Sequence, residues 1–63
     1  MVLRDFIKSE IYKSTDLLEF QNQDYEEIDI VDIDDEELLG YEVIKTNISY
    51  LGNASVLEIA LKM

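Results

Sequence analysis

The chain has 63 residues, a net charge of −10, and neither cysteine nor histidine. This length allows one domain at most, spanning residues 1–63, and such a short domain buries a small share of its surface. The missing residue types exclude disulfides, thiolate and imidazole metal sites, and the commonest general base of enzymes. We therefore expect a non-enzymatic protein that needs no cofactor and gains stability by forming a homodimer.

The negative charge limits the partners that the chain can bind. Only five basic residues are available to neutralise phosphates, so direct nucleic-acid binding is not expected. They are Arg4, Lys8, Lys13, Lys45 and Lys62. An anionic membrane surface would repel the chain. No apolar run has the length of a signal peptide or a membrane span, which predicts a cytoplasmic location.

Residues 2–13 have the spacing of one amphipathic helix, whose apolar face is Leu3, Phe6, Ile7 and Ile11. The polar cluster at residues 14–16 predicts that this helix ends or that a new one begins there. Residues 16–21 then fit a short strand, followed by a turn at residues 21–24. The alternative is one helix that continues to about residue 21, because Leu18 lies on the same apolar stripe.

The segment of residues 24–37 contains nine carboxylates among fourteen residues. The β-branched residues between the acids argue against a solvated tail and predict a strand at residues 26–33. Its alternation slips at Ile30 and Val31, where a β-bulge would restore one core face that includes Ile28. The outward row is then Glu27, Asp29, Asp32 and Asp34.

Residues 34–40 predict one helical turn, since acids favour a helix N-terminus and glycine favours its C-terminal end. Gly52-Asn53 then predicts a two-residue type II′ turn between strands at residues 41–51 and 54–63. This turn sets the register of the hairpin. It pairs Ile48 with Leu57, Thr46 with Ile59, Ile44 with Leu61, Asn47 with Glu58, and Lys45 with Ala60.

Together these elements predict an α+β fold. One N-terminal helix packs on a mostly antiparallel sheet of three or four strands, which ends in the C-terminal β-hairpin. The expected core face of the hairpin is Ile44, Ile48, Leu57, Ile59 and Leu61.

The acidic run permits three interpretations. A calcium loop needs glycine at position six and a carboxylate at position twelve, but counting from Asp32 these residues are Glu37 and Val43. Weak divalent-cation binding is therefore only an alternative. A second interpretation is a row of charges, about 6.6–6.8 Å apart along a strand, that resembles a phosphate chain and attracts a basic groove. The third is a solvated face that keeps an edge strand from aggregating.

The candidate partner-binding residues are the exposed acids and the two tyrosines that flank them, because tyrosine is enriched at interface hot spots. Catalysis is not expected, since paired catalytic carboxylates need a desolvated cleft. The binding set is Tyr25, Glu27, Asp29, Asp32, Asp34, Asp35, Glu36 and Tyr41. A candidate self-association patch consists of Leu18, Leu38 and Leu39.

The chain opens with V-L-R-D-F-I, continues through a strand and an acidic stretch to E-E-L-L-G, and closes with S-V-L-E-I-A-L. This layout resembles small acidic accessory proteins of phages of low-G+C bacteria, a group that includes inhibitors of bacterial defence systems. The resemblance implies a homodimeric phage protein in the host cytoplasm. Together with the row of charges, it predicts a nucleic-acid mimic that inhibits a nucleic-acid-directed defence system by binding a basic, nucleic-acid-binding protein. The alternative is a structural or assembly module that forms a homo-oligomer without inhibitory activity.

Overall fold

The structure is a computed structural model that describes residues 1–30 and 34–63. Within these ranges, three short helices and a four-stranded sheet confirm the predicted α+β class. The helices are α1 (Leu3–Phe6), α2 (Glu10–Ser14) and α3 (Glu36–Leu39). The strands are β1 (Leu17–Gln21), β2 (Glu27–Ile28), β3 (Glu42–Leu51) and β4 (Ala54–Lys62). None of the described helices is long and apolar enough to cross a membrane.

The single N-terminal helix of the sequence prediction is wrong, because two helices occupy that segment. Ser9 has extended backbone angles and its hydroxyl accepts a hydrogen bond from the Tyr12 amide, so it is the N-cap of α2. Leu3 and Phe6 are buried, whereas Ile11 beyond the break is exposed. The alternative of one helix to residue 21 is also wrong, since α2 ends at Ser14 and β1 follows.

The sheet has the strand order β2-β1-β4-β3 and is mixed. β1 pairs with β2 and β4 pairs with β3 in antiparallel fashion, but β1 and β4 are parallel, with Leu18 opposite Leu57. The sheet is therefore mostly antiparallel, as predicted, and the one parallel pairing was not anticipated from the sequence. Asp16 and Ser55 fix the start of the parallel pair, because the Asp16 carboxylate accepts hydrogen bonds from the Ser55 amide at 2.9 Å and hydroxyl at 3.2 Å.

The β3–β4 hairpin confirms the predicted turn and most of the predicted register. Gly52 has a φ of 64°, as the first central residue of a type II′ turn requires. Four of the five predicted pairs are present. The exception is Ile44, which forms a β-bulge, so that Val43 pairs with Leu61 instead.

The short helix α3 is confirmed. The Asp35 carboxylate caps its N-terminus by accepting from the amides of Glu37 at 2.9 Å and Leu38 at 3.4 Å. Gly40 follows with a right-handed φ of −83°, so the left-handed cap expected of glycine is not used here. An ion pair of 2.6 Å between Arg4 and Glu36 joins α1 to α3 at the surface, where such pairs contribute at most about 1 kcal/mol.

The core lies between helices α1 and α3 and one face of the sheet, and Tyr12 of α2 packs against it. Leu57, Ile59 and Leu61 of β4 are fully buried because β4 has a neighbouring strand on both sides. The prediction that Ile44 and Ile48 belong to the core is wrong, because both are exposed on the outer strand β3. The remaining buried members of the core cluster are Leu3, Phe6, Phe20, Leu38 and Leu39.

Of the strand predicted at residues 26–33, the structure describes residues 26–30, and within these the strand β2 spans Glu27–Ile28. Its alternation is as expected, since Ile28 and Ile30 pack against the core while Glu27 and Asp29 are exposed. The predicted bulge partner Val31 and the predicted surface residue Asp32 lie outside the described residues.

The turn can be tested by giving each glycine of the chain a side chain. Gly52→Ala forces an L-residue to a φ of 64°, which costs about 1–3 kcal/mol of stability. Gly40→Ala is the control, because its added Cβ meets its nearest atoms at 3.6 Å, an ordinary contact, at a negative φ. Thermal unfolding followed by circular dichroism should show a lower Tm for Gly52→Ala only. Equal Tm values for the two variants would contradict the type II′ turn.

The hairpin register predicts opposite outcomes for two neighbouring substitutions. Ile59→Asp places a carboxylate in the fully buried core, where an unpaired charge is too costly for a small domain to retain its fold. Glu58→Lys lies on the other face of β4, beside Asn47, and should lower Tm by only a few degrees. Amide dispersion in NMR spectra distinguishes folded from unfolded chains. If Glu58→Lys were the unfolded variant, the assignment of the two faces would be reversed.

Candidate functional site

The sheet has one face under the helices and a second face, here called the open face, over which no described helix lies. The strand registers place Glu27 beside Gln21, Glu19 beside Glu58, and Glu58 beside Asn47 on this face. Neighbouring strands are about 4.8 Å apart. Polar and acidic side chains therefore run across the strands from β2 to β3.

A groove lies where the chain leaves the sheet after β2. The β1–β2 ladder ends at the pair of Phe20 and Ile28. The same register would next bring Glu19 opposite Asp29 and then Leu18 opposite Ile30. The cavity between them has a volume of about 430 Å³. We call it the acidic groove, and it is lined by Tyr12, Leu18, Glu19, Phe20, Glu27, Ile28, Asp29 and Ile30.

The acidic groove combines an apolar surface with negative charge. Three of its lining residues are carboxylates and none is basic. Burial and, to a lesser extent, the nearby charge of Asp34 raise the pKa of Tyr12 above its ordinary value. The groove thus brings together Glu27 and Asp29 of the acidic run with Glu19 of β1.

A hydrogen-bond network joins the acidic groove to the open face. The Gln21 side-chain amide donates to Glu19 and to Glu58, both at 3.2 Å. The Asn47 side-chain amide donates to the other carboxylate oxygen of Glu58 at 2.9 Å. These hydrogen bonds, led by the one from Asn47, lower the pKa of Glu58. The carboxylates of Glu19 and Glu58 thereby share the Gln21 side-chain amide as a donor, which offsets part of their repulsion.

Tyr25 lies on the open face. It has a φ of 64°, unusual for a residue with a side chain, and its ring centre is 5.3 Å from the Lys45 ammonium nitrogen, within the range of a cation–π interaction. Both residues line a second cavity of about 360 Å³, together with Gln21 and Glu58. Tyr25 remains 55% exposed, so part of its surface is available to a partner.

The structure does not bring the other predicted binding residues into one surface. Asp35 is the N-cap of α3, and Glu36 pairs with Arg4. Tyr41 packs against the core, and its hydroxyl donates to Glu37 at 3.1 Å, which raises the pKa of Tyr41. Tyr25 and Tyr41 therefore lie on opposite faces of the sheet and do not form one pair of anchors.

The predicted self-association patch is wrong in two of its three members. Leu38 and Leu39 are buried in the core under α3, and only Leu18 is exposed. The pattern E-E-L-L placed two adjacent leucines on one helical turn, and tertiary packing buried both of them.

Sequence reasoning missed Glu19, Gln21 and Tyr12 as members of the site. Glu19 and Gln21 alternate along β1, which marks them as one face of a strand. No local pattern shows that this face adjoins Glu58, because the two strands are paired across 39 residues of sequence, as with Glu19 and Glu58. Tyr12 reaches the groove only because Ser9 starts a second helix.

The carboxylates do not form a metal site in the part of the chain that the structure describes. No group of three acids within residues 1–30 and 34–63 is placed to hold a metal ion. Comparison of the chain with protein-family models, with curated proteins and with solved structures finds no match. Its own geometry and charge are therefore the basis for a functional proposal.

The lowered pKa of Glu58 predicts a pH dependence of stability. A carboxylate whose folded-state pKa is lowered adds stability above its unfolded value of 4.5 and loses it as the pH falls through the folded value. Glu58→Gln removes this contribution. The difference in Tm between wild type and Glu58→Gln should be largest near neutral pH and shrink below about pH 4.5. A difference that stays constant down to strongly acidic pH would show that the ionised Glu58 adds no stability.

Proposed function

We propose that this chain is an acidic protein-binding module that acts by stoichiometric association with a basic protein surface. The observation that carries the proposal is the acidic groove, where Glu19, Glu27 and Asp29 border exposed apolar surface and no base is present. Such a groove fits a segment that carries lysine or arginine beside an apolar anchor. Apolar contact supplies affinity, and charge complementarity supplies specificity and a fast association rate.

The partner is a protein whose basic surface ordinarily binds nucleic acid. The sequence based nucleic-acid mimicry on a row of acids along one strand. Among the described residues, this row consists of Glu27 and Asp29. Glu19 and Glu58 add carboxylates across the strands instead. The spacing of about 4.8 Å between strands gives a denser array of charge than one strand does.

The biological role that we propose is inhibition of a nucleic-acid-directed host defence system by a phage-encoded protein. The net charge of −10 supports this role, because it repels nucleic acid and attracts proteins that handle it. The rival proposal is a structural or assembly module without inhibitory activity. Self-association of the chain would be compatible with both roles.

The proposal is tested by reversing two charges in the groove. Glu27→Lys/Asp29→Lys should weaken binding of a labelled lysine- and leucine-rich peptide at least about tenfold, because two attractive charges become repulsive. Fluorescence anisotropy measures the affinity. The control, Asp5→Lys/Glu42→Lys, carries the same net charge, and its two positions are exposed but do not line the groove. Affinity of the wild type should also fall as salt rises.

A second pair of variants tests the apolar part of the groove. Leu18→Ser removes a groove residue, whereas Leu17→Ser removes an equally exposed neighbour outside it. Only Leu18→Ser should weaken binding. In cells that carry a nucleic-acid-directed defence system, the wild type and both controls should restore phage plaques, and the groove variants should not. Equal loss of binding in the groove and control variants would mean that net charge alone attracts the peptide, and the groove would not be the site.

A further inference from the structure

The outer edge of β3 carries backbone groups that point away from the sheet. Because only two residues separate Leu51 from Ala54, this pair exchanges hydrogen bonds across the hairpin. Along an antiparallel strand, one residue directs its N–H and C=O groups toward the partner strand and the next residue directs them away from it. The backbone N–H and C=O groups of Thr46, Ile48 and Tyr50 therefore point outward, away from β4.

The N-terminal residues pair with this edge only at its beginning. The Val43 amide donates to the Met1 carbonyl at 2.7 Å, and the Leu3 amide donates to the Tyr41 carbonyl at 2.8 Å. Beyond the bulge at Ile44, no described residue forms a strand pair with the outer side of β3. An unpaired edge of this length is a template for another strand.

The same edge is the least acidic surface of the chain. No acid occurs between Glu42 and Glu58, and the only charged side chain in that interval is Lys45. Large apolar side chains are exposed along β3, with Tyr50 at 73% and Leu51 at 71%. Elsewhere a second copy with a charge of −10 would meet acidic residues, so this edge is where two copies can approach with least repulsion.

We propose that β3 pairs in antiparallel fashion with β3 of a second copy, forming a two-fold symmetric dimer with one continuous sheet. The register centred on Ile48 uses all three outward residues, since Ile48 then faces Ile48 of the second copy and Thr46 faces its Tyr50. Each such pair forms two hydrogen bonds, about six in all. Lys45 faces Leu51 of the second copy, so no two like charges meet.

A second copy of the chain fits this edge better than a strand from an unrelated protein does, because the edge is complementary to itself. A two-fold axis brings the same patch together from both copies, and the apolar side chains of β3 cover each other. An interface of one strand pair is smaller than a standard protein interface, so dissociation in the micromolar range is expected. The inference does not rest on the proposed partner, since it concerns the chain alone.

The test is the mass of the chain in solution. Light scattering and sedimentation of the wild type should show a dimer at micromolar concentrations, and added salt should strengthen it by screening the mutual repulsion of the copies. Ile48→Lys should raise the dissociation constant of the dimer at least about tenfold. The substitution sets two ammonium groups face to face on strands whose Cα atoms are about 5.5 Å apart.

Leu17→Lys is the matched control. Leu17 is 45% exposed and Ile48 is 41% exposed, but Leu17 lies on the inner strand β1, so its variant should still dimerise. In the wild type, hydrogen exchange at the Thr46, Ile48 and Tyr50 amides should slow as concentration rises. A chain that stays monomeric would overturn the proposal. A dimer that Ile48→Lys leaves intact would also overturn it, because the interface would then lie elsewhere; circular dichroism of each variant verifies that it is folded.

Discussion

The parallel pairing of β1 with β4 is the constraint on which the rest of the structure depends. It makes β4 an inner strand, so that Leu57, Ile59 and Leu61 are fully buried under the helices. It also leaves β2 and β3 as the two outer strands. In a chain of 63 residues without disulfides, a central strand that is covered on one face and paired on both sides is the main source of cooperative stability.

The two outer strands have different chemistry. The edge near β2 carries the acidic groove, and the edge at β3 is nearly free of acids. Because these strands are at opposite ends of the sheet, self-association through β3 leaves the groove of each copy accessible. The proposed dimer would therefore present two acidic grooves, and two linked sites on one basic partner would bind more tightly than one. Partner binding and assembly are thus compatible on this fold.

The candidate site illustrates why charge patterns locate a surface only in part. The acidic run identified Glu27 and Asp29, because alternation along a strand places acids outward wherever the other face is apolar. Glu19 joins them in the groove and is linked to Glu58 by Gln21, which depends on strands far apart in the sequence. Asp35 and Glu36 belong to the same run, yet the backbone amides of α3 and the Arg4 side chain engage them instead.

The sequence by itself determined the features that local chemistry controls. Gly52-Asn53 set the turn and with it the register from Lys45 to Leu51, and Asp35 set the start of α3. Only the tertiary structure decided that β1 runs parallel to β4, and that Ile44 forms a bulge so that Val43 packs against the core. These outcomes depend on which side chains fill the shared core. That competition is between segments distant in sequence, and no short stretch of residues encodes its result.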